Sequence, residues 1–180
     1  LGKKTPDIFE LGVGGTKPED KLALAQKLLG TEVKVTDVFN EGQMVDSVSI
    51  TKGKGLVGPV KRFGLALRSH KSEKTKRGPG SLGPWHGFRG FRSPHQGQMG
   101  FQQRMEFNKQ IIKINDDVKK INPKGGFLRY GVVGSQYMLV KGSLGGRVNR
   151  LITFTVPRRA FKKMPKEAPT ITYTSLASKQ

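Results

Sequence analysis

The sequence predicts a mainly β protein with minor α, a small barrel or sandwich whose sheet is interrupted by a long basic loop. Three observations point there. Short stretches of alternating or β-branched residues recur, separated by glycine-containing turns. Between them lies Lys52–Lys113, whose middle, Lys74–Arg104, holds no Asp or Glu and has neither helical nor strand periodicity. The 180 residues carry 33 Lys and Arg against 13 Asp and Glu, a formal charge of +20 that opposes compaction unless a partner neutralises it. Hydrophobic residues make up 34%, so the core should be modest.

Taken in order, residues 1–15 read as a lead-in with a short strand near Ile8–Val13. Gly12, Gly14 and Gly15 match no phosphate-loop spacing and read as a turn. Thr16 and Glu19 stand as a capping box, opening a helix to about Leu29 that puts Leu22, Ala25 and Leu29 on one face. Gly30 stops it. Thr31–Phe39 alternates Val33 and Val35 against Glu32, Lys34 and Thr36, which predicts a half-buried strand. Glu41-Gly42 turns the chain into a second strand, Met44–Thr51, with Val48 and Ile50 expected inward. Lys52-Gly53-Lys54-Gly55 then leaves the sheet.

The chain returns at Phe107–Ile114, a short helix or strand. Asp116–Pro123 is a polar connection, and Lys124-Gly125-Gly126 a turn. Phe127–Lys141 reads as a strand pair interrupted by Gly134-Ser135, followed by a turn at Gly142–Gly146. Asn149–Val156 alternates as a strand, Pro157–Pro169 is a basic connection, and Thr170–Leu176 is a last strand. The expected organisation is a lead-in and helix over 1–30, a β domain split in sequence over 31–57 and 114–180, and an inserted extension over 58–113.

Composition narrows the function. No apolar run approaches the roughly 20 residues of a spanning helix, and no basic amphipathic helix is long enough to lie on a membrane surface. The polyanion that suits +20 is therefore nucleic acid. Without Cys there are no disulfides or thiolate metal sites. His70, His86 and His95 lack neighbouring carboxylates, which argues against a metal site and against a Ser-His-Asp arrangement. No catalytic residue, cofactor or small-molecule substrate is expected.

The acid-free stretch interleaves cations with aromatic rings and glycines, the composition of a loop that tracks phosphates and offers rings for base stacking. The candidate RNA contacts are Lys52, Lys54, Lys61, Arg62, Arg68, His70, Lys71, Lys74, Lys76 and Arg77, then Trp85, His86, Arg89, Arg92, His95, Gln96, Gln98, Arg104 and Lys109. Trp85, between Gly83-Pro84 and His86-Gly87, reads as facing RNA rather than a core. Phe88 and Phe91 either stack on bases or pack on each other. The cations mostly contact phosphates, which position a protein without reading sequence. Outside the extension, Lys119, Lys120, Lys162 and Lys163 read equally as plain solvated surface or as further contacts.

Four segments carry a resemblance: TEVKVTDVFNEGQMVDSVSITKGKGLVGPVKRFG at 31–64, KRGPGSLGPWHG at 76–87, SPHQGQMGFQQRMEFNK at 93–109 and APTITYTSLASKQ at 168–180. Together they resemble the archaeal and eukaryotic branch of the universal large-subunit ribosomal protein number three. The resemblance implies a Greek-key β-barrel of the translation-protein type, with a long basic loop penetrating RNA toward the peptidyl transferase centre and Trp85 at its tip. It implies large-subunit rRNA and neighbouring large-subunit proteins as partners, binding near the 3′ end of that rRNA, an early role in subunit assembly, and a place in the cytoplasmic ribosome. Members of this branch begin upstream of Leu1, so a preceding segment that helps complete the barrel is expected. Lys76 stands where eukaryotic members carry a His before Arg-Gly, so the resemblance does not carry a histidine-specific modification or switch over to this chain. The link from Arg77 to Trp85 is shorter than in eukaryotic members. The competing reading is a free-standing, non-ribosomal nucleic-acid-binding module.

Overall fold

The structure, a computed structural model, describes residues 3–84, 92–163 and 167–178. It is mainly β with few helices. In chain order come α1 (Pro18–Leu28), α2 (Val35–Val38), β1 (Met44–Ile50), β2 (Leu56–Val57), α3 (Pro59–Phe63), β3 (Gly97–Gln98), β4 (Gln103–Asn115), β5 (Tyr137–Val140) and β6 (Thr153–Thr155), with a 3-10 turn at Val118–Lys120. Among the described residues the strands form a four-stranded sheet, ordered β5-β4-β1-β6, and a two-stranded ribbon of β2 and β3. Two compact units result: Leu1–Val48 with Met105–Leu144 and Val148–Gln180, and Ser49–Arg104 with Gly145–Arg147.

In the four-stranded sheet β1 is an inner strand, between β4 and β6. Asp46, Ser47 and Val48 pair antiparallel with Thr155, Phe154 and Thr153 of β6. On the other side, Ile111 N–H donates to Gln43 O at 2.9 Å and Gly42 N–H to Ile111 O at 2.8 Å. β4 pairs in turn with β5, from Ile111↔Val140 to Asn115↔Tyr137, with a register shift between Ile111 and Lys113. The buried apolar side chains among the described residues are Val45, Ile111 and Ile114, with Val35, Phe39, Met138 and Phe154 packed against them. Asp46, Ser47 and Gln110 of this unit are buried as well, so much of its interior is polar. A core of this size contributes little hydrophobic stabilisation, as the low apolar share of the sequence implies.

Side chains that bond distant backbone make up part of the difference. Glu41 Oε1 accepts from Ile114 N–H at 3.0 Å, and Asn122 holds both the N–H and the C=O of Val133. Asp46 accepts from Asn108 N–H at 2.9 Å and Arg158 N–H at 2.8 Å, one bond per oxygen. Asn108 has φ 54°, so its N–H leaves the ladder toward the carboxylate.

Several expected elements differ. The helix forms, but its N-cap is Lys17 with Pro18 in the first turn, and no side chain caps it, so Thr16 does not play that role. Pro at that position pre-sets helical φ without needing a cap. Gly30, φ 75°, does end the helix. None of its residues is buried, and Leu22 and Leu29 are 61% and 84% exposed. Thr31–Phe39 is not a strand. Asp37 Oδ2 accepts from Lys34 N–H at 2.9 Å and Gln136 Oε1 from Val35 N–H at 3.2 Å, closing a helical turn that puts Val35 and Phe39 against the core. Ile8–Val13 and Thr170–Leu176 carry no ladder. The latter is tied by Lys124 N–H to Leu176 O at 3.0 Å and lines a groove through Ile171 and Tyr173, beside Ile112 and Leu139.

Of the pair expected over Phe127–Lys141, only the second half is a strand; Phe127–Gly131 instead closes on itself through an isolated bridge. Positive φ at Gly125, Gly126 and Arg129 bends that stretch away from a strand. In β1 the inward residues are Val45, Ser47 and Ser49, while Ile50 is 39% exposed.

Candidate nucleic-acid interface

The second unit holds most of the candidate contacts. Its backbone leaves β1 through Lys52-Gly53-Lys54-Gly55 and comes back through Gly97–Arg104, and the two limbs form a neck. Lys54 N–H donates to Met99 O and Met99 N–H to Gly55 O, both at 2.9 Å. Leu56 and Val57 pair with Gln98 and Gly97. Thr51 N–H donates to Gln102 O at 3.0 Å.

Two glycines make this approach possible. At Gly100, φ 72°, an added Cβ would sit 1.8 Å from Lys52 O. At Gly97 it would meet Arg62 Nη1 at 2.8 Å. A bare backbone is required at Gly100, whereas at Gly97 a side chain would displace the Arg62 guanidinium.

Arg62 braces the neck. It sits in α3, its Nη1 donates to His95 O at 2.9 Å, and its guanidinium lies 5.0 Å from the Phe63 ring centroid. Gly64, φ 69°, ends α3. Beyond it, Arg68 N–H donates to Lys76 O at 3.2 Å, closing a loop that brings Arg68, His70, Lys71, Lys74 and Lys76 into one exposed cationic turn. No long apolar side chain of this unit is buried among the described residues, and Glu73 is its single acid.

The candidate residues sort by what already engages them. Lys52, Lys54, Lys61, Arg68, His70, Lys71, Lys74, Lys76, Arg77, Arg92, His95 and Gln96 are exposed. Gln98 Nε2 bonds Gly100 O at 3.1 Å, and Arg104 bonds Gln103 O at 2.9 Å and Gln102 Oε1 at 2.8 Å. Lys109, in the first unit, is half-buried and paired with Glu106 at 2.9 Å. Trp85, His86 and Arg89, with Phe88 and Phe91, lie outside the described residues.

Ion pairing is sparse for so charged a chain. Among the described residues the pairs are Lys3–Asp7, Lys109–Glu106 and Lys120–Asp117, all in the first unit. The Lys120 ammonium holds the Asp117 carboxyl below its ordinary value, helped by the Lys119 N–H. Neither the described histidines nor the acids gather into a group of three or more that could hold a metal ion. No helix among the described residues is long and apolar enough to cross a membrane. An exposed field of unpaired cations on a glycine-shaped backbone is suited to a polyanion with regularly spaced charges.

The profile of ribosomal protein L3 matches residues 1–180. The chain belongs to the ribosomal protein L3 family. It is 49% identical to the large ribosomal subunit protein uL3 of Methanobrevibacter smithii over 183 residues, covering 99% of this chain and 54% of that protein. It is 46% identical to uL3 of Metallosphaera sedula, covering 100% of this chain and 53% of the relative. With uL3 of Methanocaldococcus jannaschii the identity is 45%, covering 100% and 54%. The chain spans about half the length of the curated relatives it matches. Of the segments that carried the resemblance, 31–64 builds α2, β1, β2 and α3, and 93–109 builds β3 and the first half of β4.

Residue reading missed the brace and the clamps. Arg62 counted only as a cation, because nothing local shows that His95 O and Gly97 will stand beside it. Asp46, Glu41, Asn122 and Gln136 gave no local signal, since each bonds backbone 11 or more residues away.

Proposed function

We propose that the chain is a structural constituent of the large ribosomal subunit, without catalytic activity of its own. It binds large-subunit rRNA, supports subunit assembly beside neighbouring ribosomal proteins in the cytoplasmic ribosome, and sends a long basic loop toward the peptidyl transferase centre, with Trp85 at the tip; of the 58–113 expected for that loop, 105–113 belong to β4 and the first unit's sheet, which leaves 58–104. In this reading the four-stranded sheet is part of a Greek-key barrel of the translation-protein type. The single observation that carries the proposal is the second unit: a backbone-built neck presenting an almost acid-free set of exposed cations, on a chain of the L3 family. Such a surface repels itself until phosphates neutralise it.

The test is sedimentation of a cell extract through a sucrose gradient after a high-salt wash. The chain should stay with large subunits. Release into the free-protein fractions, with retained affinity for unrelated RNA, would instead identify a free-standing nucleic-acid-binding module.

A further inference from the structure

A second basic segment lies in the first unit, and hydrogen bonds hold the backbone where it begins. After β6 the chain continues Val156-Pro157-Arg158-Arg159-Ala160-Phe161-Lys162-Lys163. Arg158 N–H donates to Asp46 Oδ2 at 2.8 Å, and Asn108 Nδ2 donates to Arg159 O at 2.9 Å. Asp46 is fully buried, and its Oδ1 accepts from Asn108 N–H at 2.9 Å. One carboxylate therefore ties β1 to Asn108 of β4 and to the start of the basic segment. The Arg159 guanidinium lies 5.7 Å from the Phe107 ring centroid, a cation–π contact that steadies its stem.

What this anchoring leaves outside is informative. Arg158, Arg159, Lys162 and Lys163 are exposed, and among the described residues none forms an ion pair. Asp46 could have neutralised an arginine; it is turned onto backbone N–H groups instead. Burying a carboxylate is costly unless hydrogen bonds satisfy it, so the placement needs a reason. Holding the segment in one form before binding is such a reason, because a preset cation surface loses less freedom when phosphates arrive. Two adjacent guanidiniums suit phosphate oxygens in particular.

We propose that Arg158–Lys163 is a second contact for the RNA phosphate backbone, preset by Asp46 and carried by the β unit rather than by the extension. It rests on the reading that this chain binds large-subunit rRNA.

The test is lysine-acetylation footprinting of the full chain on an archaeal large-subunit rRNA transcript, read by mass spectrometry. Lys162 and Lys163 should be protected by a factor similar to that of Lys74 and Lys76. Protection of Lys74 and Lys76 alone would overturn this inference and leave the rRNA reading intact. Protection of none of the four would overturn both.

Two variants test the mechanism. The double variant Arg158→Gln/Arg159→Gln should make the slope of log K against log salt shallower by about 1.4–1.8, at about 0.7–0.9 per lost phosphate contact. An unchanged slope rejects the contact. Asp46→Asn removes a negative charge, so charge alone would tighten RNA binding, whereas loss of the anchor should weaken it several-fold. Tighter binding by a variant that still melts cooperatively would show that the anchor is not needed.

Discussion

The two units reach definite structure by different routes. The first closes its sheet around Val45, Ile111 and Ile114 and adds side-chain clamps from Glu41, Asp46, Asn122 and Gln136. The second buries no long apolar side chain among the described residues and relies on backbone pairing at its neck, two close glycine approaches and the Arg62 brace. The first also contains every ion pair among the described residues. One unit thus combines a small buried core with side-chain clamps on distant backbone. In the other, the described contacts gather at the neck, with Arg68 N–H to Lys76 O beyond it, and in the proposed reading the exposed charge is met by phosphates.

The contrast breaks most readily at Ile111. Ile111→Ala removes a fully buried side chain from a three-residue core and should cost about 2–5 kcal/mol of stability, measured by urea unfolding. The comparison survives only if that loss is far larger than for any truncation in the second unit. Gly100→Ala acts on the other side. Its Cβ would fall 1.8 Å from Lys52 O, so the neck must open. The expected outcome is about a tenfold loss of rRNA affinity, roughly 1.4 kcal/mol, with the urea midpoint of the first unit nearly unchanged. Equal affinity for parent and variant would show that neck geometry is irrelevant to binding.

Trp85→Ala sharpens the same division. As a ring facing RNA, it should remove about 1–3 kcal/mol of stacking or packing. Melting should not move. A drop in stability of about 3–5 kcal/mol would instead mark Trp85 as core. The smallest effect belongs to Asp117, an exposed carboxyl lowered by Lys120 from its ordinary 3.8. Its folded value lies below its unfolded one, so its contribution is present above the unfolded value and fades as pH falls through the folded one. Replacing Lys120 with Ala should slightly flatten the loss of melting temperature below about pH 4 and leave neutral pH unaffected. A large change at pH 7 would contradict that assignment.

Elements with their own local signal were legible in the sequence. β1 was visible in its β-branched residues, and the end of α1 in Gly30. Phe107–Ile114 stayed ambiguous between helix and strand because its apolar residues suit either; pairing with both β1 and β5 decides it. Thr31–Phe39 misled because alternation there competes with a long-range bond from Val35 N–H to Gln136, which no local pattern encodes. Ile50 was placed inward on hydrophobicity, yet serines 47 and 49 occupy the buried row. For the site, the excess of cations over Lys52–Arg104, with Glu73 its single acid, was visible in composition alone. The division of labour within it was hidden, because Arg62 becomes a brace only once the chain returns at His95.

The most direct test of the central claim is the salt dependence of binding to large-subunit rRNA. Lys52–Lys113 holds 14 Lys and Arg against Glu73 and Glu106. If about ten of these reach phosphates, log K should fall against log salt with a slope of roughly −7 to −9. A slope near about −2 on the same RNA would mean that few cations meet phosphate, and the second unit would then need another explanation.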